Sequence, residues 1–151
     1  MTETAESRAS SDLRTKREEI VLQHVNAENG HNADGVVSTF RARHARYDIA
    51  AFPDPVDGGP EVADFMNNMF RAFPDWHVEP MGPLVHCDTG VFLEVRMTGT
   101  QNDEWIGIPA ASGRMDVRLA LMYDFEEEEL VSERVWFDMA TVMSQLAPAS
   151  A

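Results

Sequence analysis

The sequence predicts one α+β domain: a cone-shaped α+β barrel in which a curved, mostly antiparallel sheet wraps around N-terminal helices. Three observations lead there. Apolar residues recur at helical spacing through the first half, ending in the continuous stripe Val62, Phe65, Met66, Met69, Phe70 and Phe73. From about residue 76 the period changes to two, as in half-buried strands. A chain of 151 residues with 44% hydrophobic content suffices for a single core. Helices followed by a run of strands place the helices on one face of the sheet, and the open end of such a cone is a common seat for a small-molecule pocket.

Thr15 and Glu18 have capping-box spacing, and Ile20, Val21, His24 and Val25 follow on one helical face, with Gly30 as the stop. Residues 1–14 and 148–151, small and polar, are expected as disordered tails around one domain over 15–147. A short second helix follows Asn32 and carries Val36, Val37 and Phe40. Residues 45–52 suit a strand, and 53–60, dense in Pro, Asp and Gly, a loop. The third helix starts near Pro60 and ends at Pro74. A strand over 76–87 is interrupted at Gly82-Pro83, and residues 88–90 turn the chain. Val91, Leu93, Val95 and Met97 alternate with Phe92, Glu94, Arg96 and Thr98, and Met115, Val117, Leu119, Leu121, Tyr123 and Phe125 alternate with Asp116, Arg118, Ala120, Met122 and Asp124. The face Val117, Leu119, Leu121 and Tyr123 suits either helix packing or a dimer seam, and a homodimer is expected. Glu126 to Glu129 make a solvated turn, a last strand covers about 130–137, and Met139, Val142, Met143 and Leu146 form a short amphipathic helix.

The formal net charge of -14 repels phosphate backbones and anionic lipid, so neither nucleic acid nor membrane is expected as a partner. No apolar run is long enough to cross a bilayer, the N-terminus has no apolar signal core, and the single Cys87 fits a reducing, cytoplasmic setting. The five histidines show no metal-like spacing, so no metal site is expected.

The element order and four local signatures resemble the SnoaL-like polyketide cyclases of the nuclear transport factor two-like (cystatin-like) superfamily. The signatures are FPDWHVE at 73–79, GTQ at 99–101, GIPAASGR at 107–114 and DMATVMSQLA at 138–147, and the likeness covers roughly 17–147. It implies intramolecular aldol ring closure on an aromatic polyketide without metal or cofactor. Such chemistry needs a base beside a carbonyl and a donor for the enolate oxygen. Where the family carries His, this chain has Gln101, a neutral amide that can orient a carbonyl but cannot titrate. The family's catalytic Asp and His fall on Val135 and Ala120, which argues against cyclisation itself.

What remains is acid–base chemistry (aldol closure, isomerisation or dehydration) on a small hydrophobic carbonyl compound. The alternative is a binding or dimerisation module of the same fold. If Ala120 and Val135 line the pocket, alternation puts Asp116, Arg118, Glu133 and Phe137 inside with them, so Arg118 and Glu133 are candidate catalytic residues or else a structural ion pair. Asp48, where related steroid isomerases carry their base, is a third catalytic candidate or an edge residue facing water. Gln101, Trp105, Phe137 and Asp138 are the substrate-binding candidates, although Asp138 equally suits an N-cap of the last helix.

Overall fold

The computed structural model describes residues 4–149. Helices α1 (Ala5–Asn29), α2 (Ala33–Ser38), α3 (Gly59–Ala72) and α4 (Met139–Leu146) accompany strands β1 (Arg46–Ile49), β2 (Val56–Asp57), β3 (His77–Pro80), β4 (Val85–Cys87), β5 (Gly90–Thr100), β6 (Arg114–Glu126) and β7 (Glu129–Trp136). They form one curved, unclosed sheet in the order β2-β1-β7-β6-β5-β3, with β4 on a second stretch of β5. All pairings are antiparallel except β1 beside β7. The break at Gly82-Pro83 explains the split edge: β3 pairs residues 95–98 of β5 and β4 pairs residues 90–92.

The first helix departs from expectation. Its N-cap is Thr4, which accepts from the Ser7 N–H, while Thr15 lies inside the helix and its hydroxyl donates to the Ser11 carbonyl. The capping box at Thr15 is therefore unused, and residues 5–14 are helical, not a tail. That segment holds no Gly or Pro to stop a helix that packing has nucleated further on. Residues 1–3 and 150–151 of the expected tails lie outside the described residues. The loop expected over 53–60 also contains the short β2, paired to β1.

Register decides what the concave face of the sheet contains. On β6, Met115, Val117, Leu119, Leu121, Tyr123 and Phe125 are buried, while Arg118 is exposed. Burying such side chains contributes about 1.5–3 kcal/mol each. A one-residue slip would put Asp116, Arg118 and Asp124 there instead, at an effective cost of several kcal/mol per unpaired ion. The apolar face therefore turns inward onto the helices and does not form an outer dimer seam. α3 closes over it with Val62, Met66, Met69 and Phe70 buried.

α4 is capped by Asp138, whose carboxylate accepts from the Ala140 N–H at 3.0 Å and the Thr141 hydroxyl at 2.7 Å. At its far end the Gln145 side chain accepts from the Asp116 N–H at 2.8 Å and donates to the Asp116 carbonyl at 2.9 Å. It continues the ladder of β6 beyond the last β7 pair, Ala120 with Trp136. Gly113 permits this seating: a Cβ there would stand 2.6 Å from the Gln145 carbonyl oxygen.

Candidate active site

Between α1, α3 and the concave sheet lies a cavity of about 60 Å³. Its walls are mostly apolar, among them Phe52, Phe65, Met66, Met69, Trp76 and Trp105, and three polar residues, Glu28, Tyr47 and Glu133, reach it. At about 15 Å³ per water it holds roughly four waters, and it is well below the ~150 Å³ of a cavity that takes up benzene. A ring-sized ligand therefore has to displace lining groups, for which Met66, Met69 and Met97 are suited because thioether side chains repack cheaply.

The polar residues belong to a buried cluster built from three elements. α1 contributes His24 and Glu28, one turn apart on the inner face, β1 contributes Tyr47, and β7 contributes Glu133. His24 is fully buried. Its Nδ1 lies 2.8 Å from the Thr39 hydroxyl oxygen, whose own proton goes to the Val36 carbonyl, so Nδ1 must carry a hydrogen. Its Nε2 lies 3.0 Å from the Tyr47 hydroxyl, whose proton goes to Glu28 Oε1 at 2.9 Å, so Nε2 must donate as well. Both ring nitrogens are donors, and His24 is an imidazolium.

The charges agree. Burial opposes the cation, but Glu28 at 3.3 Å and Glu133 at 2.9 Å from Nε2 outweigh it and raise the His24 pKa to about 10. Glu133 is 2% exposed. Burial, then the neighbouring Glu28 charge, push its carboxyl above the usual range, and the pull of His24 does not cancel them. Glu133 Oε2 lies beside Nε2 but off a hydrogen-bonding line, so that oxygen has no aligned donor. Tyr47 and Tyr123 stay protonated, each raised by burial and by the two carboxylates. The site is thus two carboxylates against one imidazolium, in a setting where one of the carboxylates readily takes a proton.

His24, Glu28 and Glu133 also offer one donor atom each within 4.8 Å of one another, a set whose chemistry suits a divalent cation. In the arrangement observed, protons link these atoms: Tyr47 bridges Nε2 and Glu28, and Thr39 takes Nδ1–H. Sequence spacing did not find this triad because Glu133 joins a helical i, i+4 pair from the opposite end of the chain. The signal that was visible was His24 on an apolar helical face, with Glu28 one turn on.

Of the catalytic candidates, only Glu133 reaches the cavity. Arg118 points outward with its side chain 75% exposed, 3.9 Å from Glu94. Its alternation partner Ala120 also lies on the outer face, whereas Val135 lines the cavity with Glu133 and Phe137. The β6–β7 register pairs Leu121 with Val135 and Ala120 with Trp136, so the inner face of β6 is the odd-numbered one and excludes Ala120 and Arg118. Asp48 is exposed too, between the buried Tyr47 and Ile49, and pairs in register with Arg134 on the convex face. Alternation on β1 gives the cavity to its neighbours.

Among the binding candidates, Trp105 and Phe137 line the cavity, and Trp105 is buried at 3% exposure. Gln101 does not line it. Its amide nitrogen donates to the Asp103 carbonyl at 3.1 Å and the Ile108 carbonyl at 2.8 Å, tying the 101–113 loop to itself. The loop closes further through mutual Trp105 and Ile108 backbone bonds at 3.1 and 2.8 Å, across a turn where Gly107 takes φ 84°. Gln101 thereby fixes Trp105 against Phe73, ring centroids 5.4 Å apart, and has no direct contact with the cavity. Asp138 caps α4 and faces an outer groove with Arg96 and Arg118, away from the cavity.

The SnoaL-like polyketide cyclase family model matches residues 18–146. With that match over most of its length, the chain belongs to the SnoaL-like polyketide cyclase family. Solved structures agree on the fold. A protein from Jannaschia sp. CCS1 assigned as a SnoaL-like polyketide cyclase is 22% identical over 89% of this chain and 94% of its own, with a TM-score of 0.78. A phenazine biosynthesis-related protein from Pseudomonas aeruginosa is 15% identical over 93% of this chain and 91% of its own, TM-score 0.76. A protein of ketosteroid isomerase-like fold from Catenulispora acidiphila, solved with trimethylamine, is 18% identical over 87% of this chain and 94% of its own, TM-score 0.72. No curated protein matches the chain.

Proposed function

We propose that the chain catalyses cofactor-independent proton transfer on a small hydrophobic carbonyl compound, leading to isomerisation, aldol closure or dehydration. The observation that carries this reading is Glu133: a carboxyl 2% exposed, on the wall of an apolar cavity, with its pKa raised by burial and by Glu28. A base works best when its pKa lies near the working pH and its acceptor oxygen is free. Burial and Glu28 raise the Glu133 pKa from its ordinary value, and its Oε2, although 2.9 Å from the His24 cation, has no donor aligned on it.

In this mechanism ionised Glu133 takes the proton next to the carbonyl. The C–H electron pair becomes a C=C bond and the carbonyl oxygen becomes an enolate. Returning the proton to another carbon isomerises the substrate, and attack of the enolate carbon on a second carbonyl closes a ring. His24 and Glu28 do not touch the substrate carbon. Through Tyr47 they hold the charge beside Glu133 and fix its orientation. Glu133 thus takes over the task of the family Asp that Val135 lacks, from two residues earlier on the same face of β7.

The test is deuterium exchange at the α-carbons of 2-indanone in D2O, followed by proton NMR. Wild type should exchange these positions faster than buffer, and Glu133→Gln should lose about a hundredfold or more of the enzyme-dependent rate. Equal rates in the two proteins would sink the reading and leave a binding module of the same fold.

A further inference from the structure

The cavity wall carries two more buried polar atoms with nothing to bond. Trp76 is 4% and Trp105 3% exposed, both line the cavity, and neither indole N–H has an acceptor among the described residues. A buried Trp N–H normally finds a partner, and leaving one unmade costs about 1–3 kcal/mol. Two such vacancies around one cavity, whose one unpaired wall acceptor among the described residues, Glu133 Oε2, is taken up as the base, call for an acceptor that arrives with the ligand.

We propose that Trp76 and Trp105 hold the oxygen of the substrate through their indole N–H groups, and that the substrate is an uncharged, ring-sized compound with exposed carbonyl oxygen. This rests on the cavity being the site of the proton transfer above. Charge narrows the ligand further. A cation offers the indoles no acceptor, and an anion would meet Glu28 and Glu133 in the same cavity. A neutral carbonyl satisfies both constraints. β6 and β5 lie between β7, which carries Glu133, and β3, which follows Trp76, so the base and this donor stand across the concave sheet from each other. As the carbonyl oxygen gains negative charge, each N–H···O bond strengthens, so the donors favour the enolate over the ketone. Trp105 owes its place to the Gln101-tied loop, and it separates the cavity from an outer groove lined by Phe65, Asn68 and Arg71.

The chain has three tryptophans, and Trp136 is 42% exposed on the sheet surface, outside the cavity, so it serves as an internal control. Nitrogen-15 NMR of the full chain would follow the three indole N–H resonances during titration with 2-indanone and with indane, which has the same shape without the oxygen. The Trp76 and Trp105 resonances should move downfield with 2-indanone and not with indane, while Trp136 stays. Trp76→Phe and Trp105→Phe, which keep an aromatic wall, should each reduce the 2-indanone to indane affinity ratio by about threefold to tenfold. Indole signals that stay still at saturating 2-indanone, an unchanged ratio in both variants, or no binding of 2-indanone would each overturn the proposal. Glu133→Gln separates the two readings: it should abolish exchange while leaving the indole shifts in place.

Discussion

Glu133 and its neighbours show how much a single side chain's surroundings decide. In water a glutamate is a weak base held ionised. Here burial and Glu28 favour its protonated form, while His24 keeps the carboxylate accessible. The cluster should therefore titrate as a unit. Exchange activity should rise as pH climbs through the raised Glu133 pKa, and should fall again near pH 10 as His24 loses its proton. A pH–rate profile of 2-indanone exchange checks both limbs. His24→Ala should cost more than a lost base, since it leaves two buried carboxylates without their cation. Losing the partner of a buried charge destabilises by about 3–5 kcal/mol. Thermal unfolding of His24→Ala, set beside the milder Glu133→Gln, reads that difference.

At the scale of elements, the sequence made the helices and strands legible wherever the apolar period was unbroken, as along α3 and β5–β6. It misjudged the start of α1, because a capping box at Thr15 is a local signal that a helix already running through it overrides. It also misjudged which side of β6 faces in. Alternation gives two faces but not which is inner, and carrying the family's His position to Ala120 selected the outer one. The site itself was only half legible. Glu133 and Phe137 could be placed from the face of β7, but His24 and Glu28 join them through a long-range helix–strand approach that no spacing on the chain encodes. The 101–113 loop is the element whose role changed most, from substrate contact to scaffold. Gln101→Ala removes two hydrogen bonds inside the protein and should destabilise it by about 1–3 kcal/mol. It should also release Trp105, visible as a red shift and increased quenching of its fluorescence, with Glu133 chemistry impaired but not abolished.

For the whole molecule, pH links the site to folding. His24 has a folded-state pKa of about 10 against an ordinary 6.5, so between those values the folded chain binds more protons than the unfolded one. Stability is then fully present below about 6.5 and declines as pH rises through about 10. Glu133, also raised, acts in the same direction, its contribution being lost as pH rises through its folded-state pKa. A surface carrying a net charge of -14 adds repulsion that salt screens, whereas the buried contribution should be nearly salt-independent. Urea unfolding at pH 7 and pH 10, at low and high salt, separates the two. The convex face, by contrast, distributes its charges into local pairs, such as Arg134 with Asp124 and Arg96 with Asp116, at a distance from the chemistry.

The most direct measurement is the titration of Glu133 itself, by carbon-13 NMR of its side-chain carboxyl in the folded protein, assigned with Glu133→Gln. The account predicts a midpoint clearly above the ordinary glutamate value of 4.5, moving when His24 is replaced. A midpoint at or below that value, indifferent to His24, would contradict it and remove Glu133 as the base.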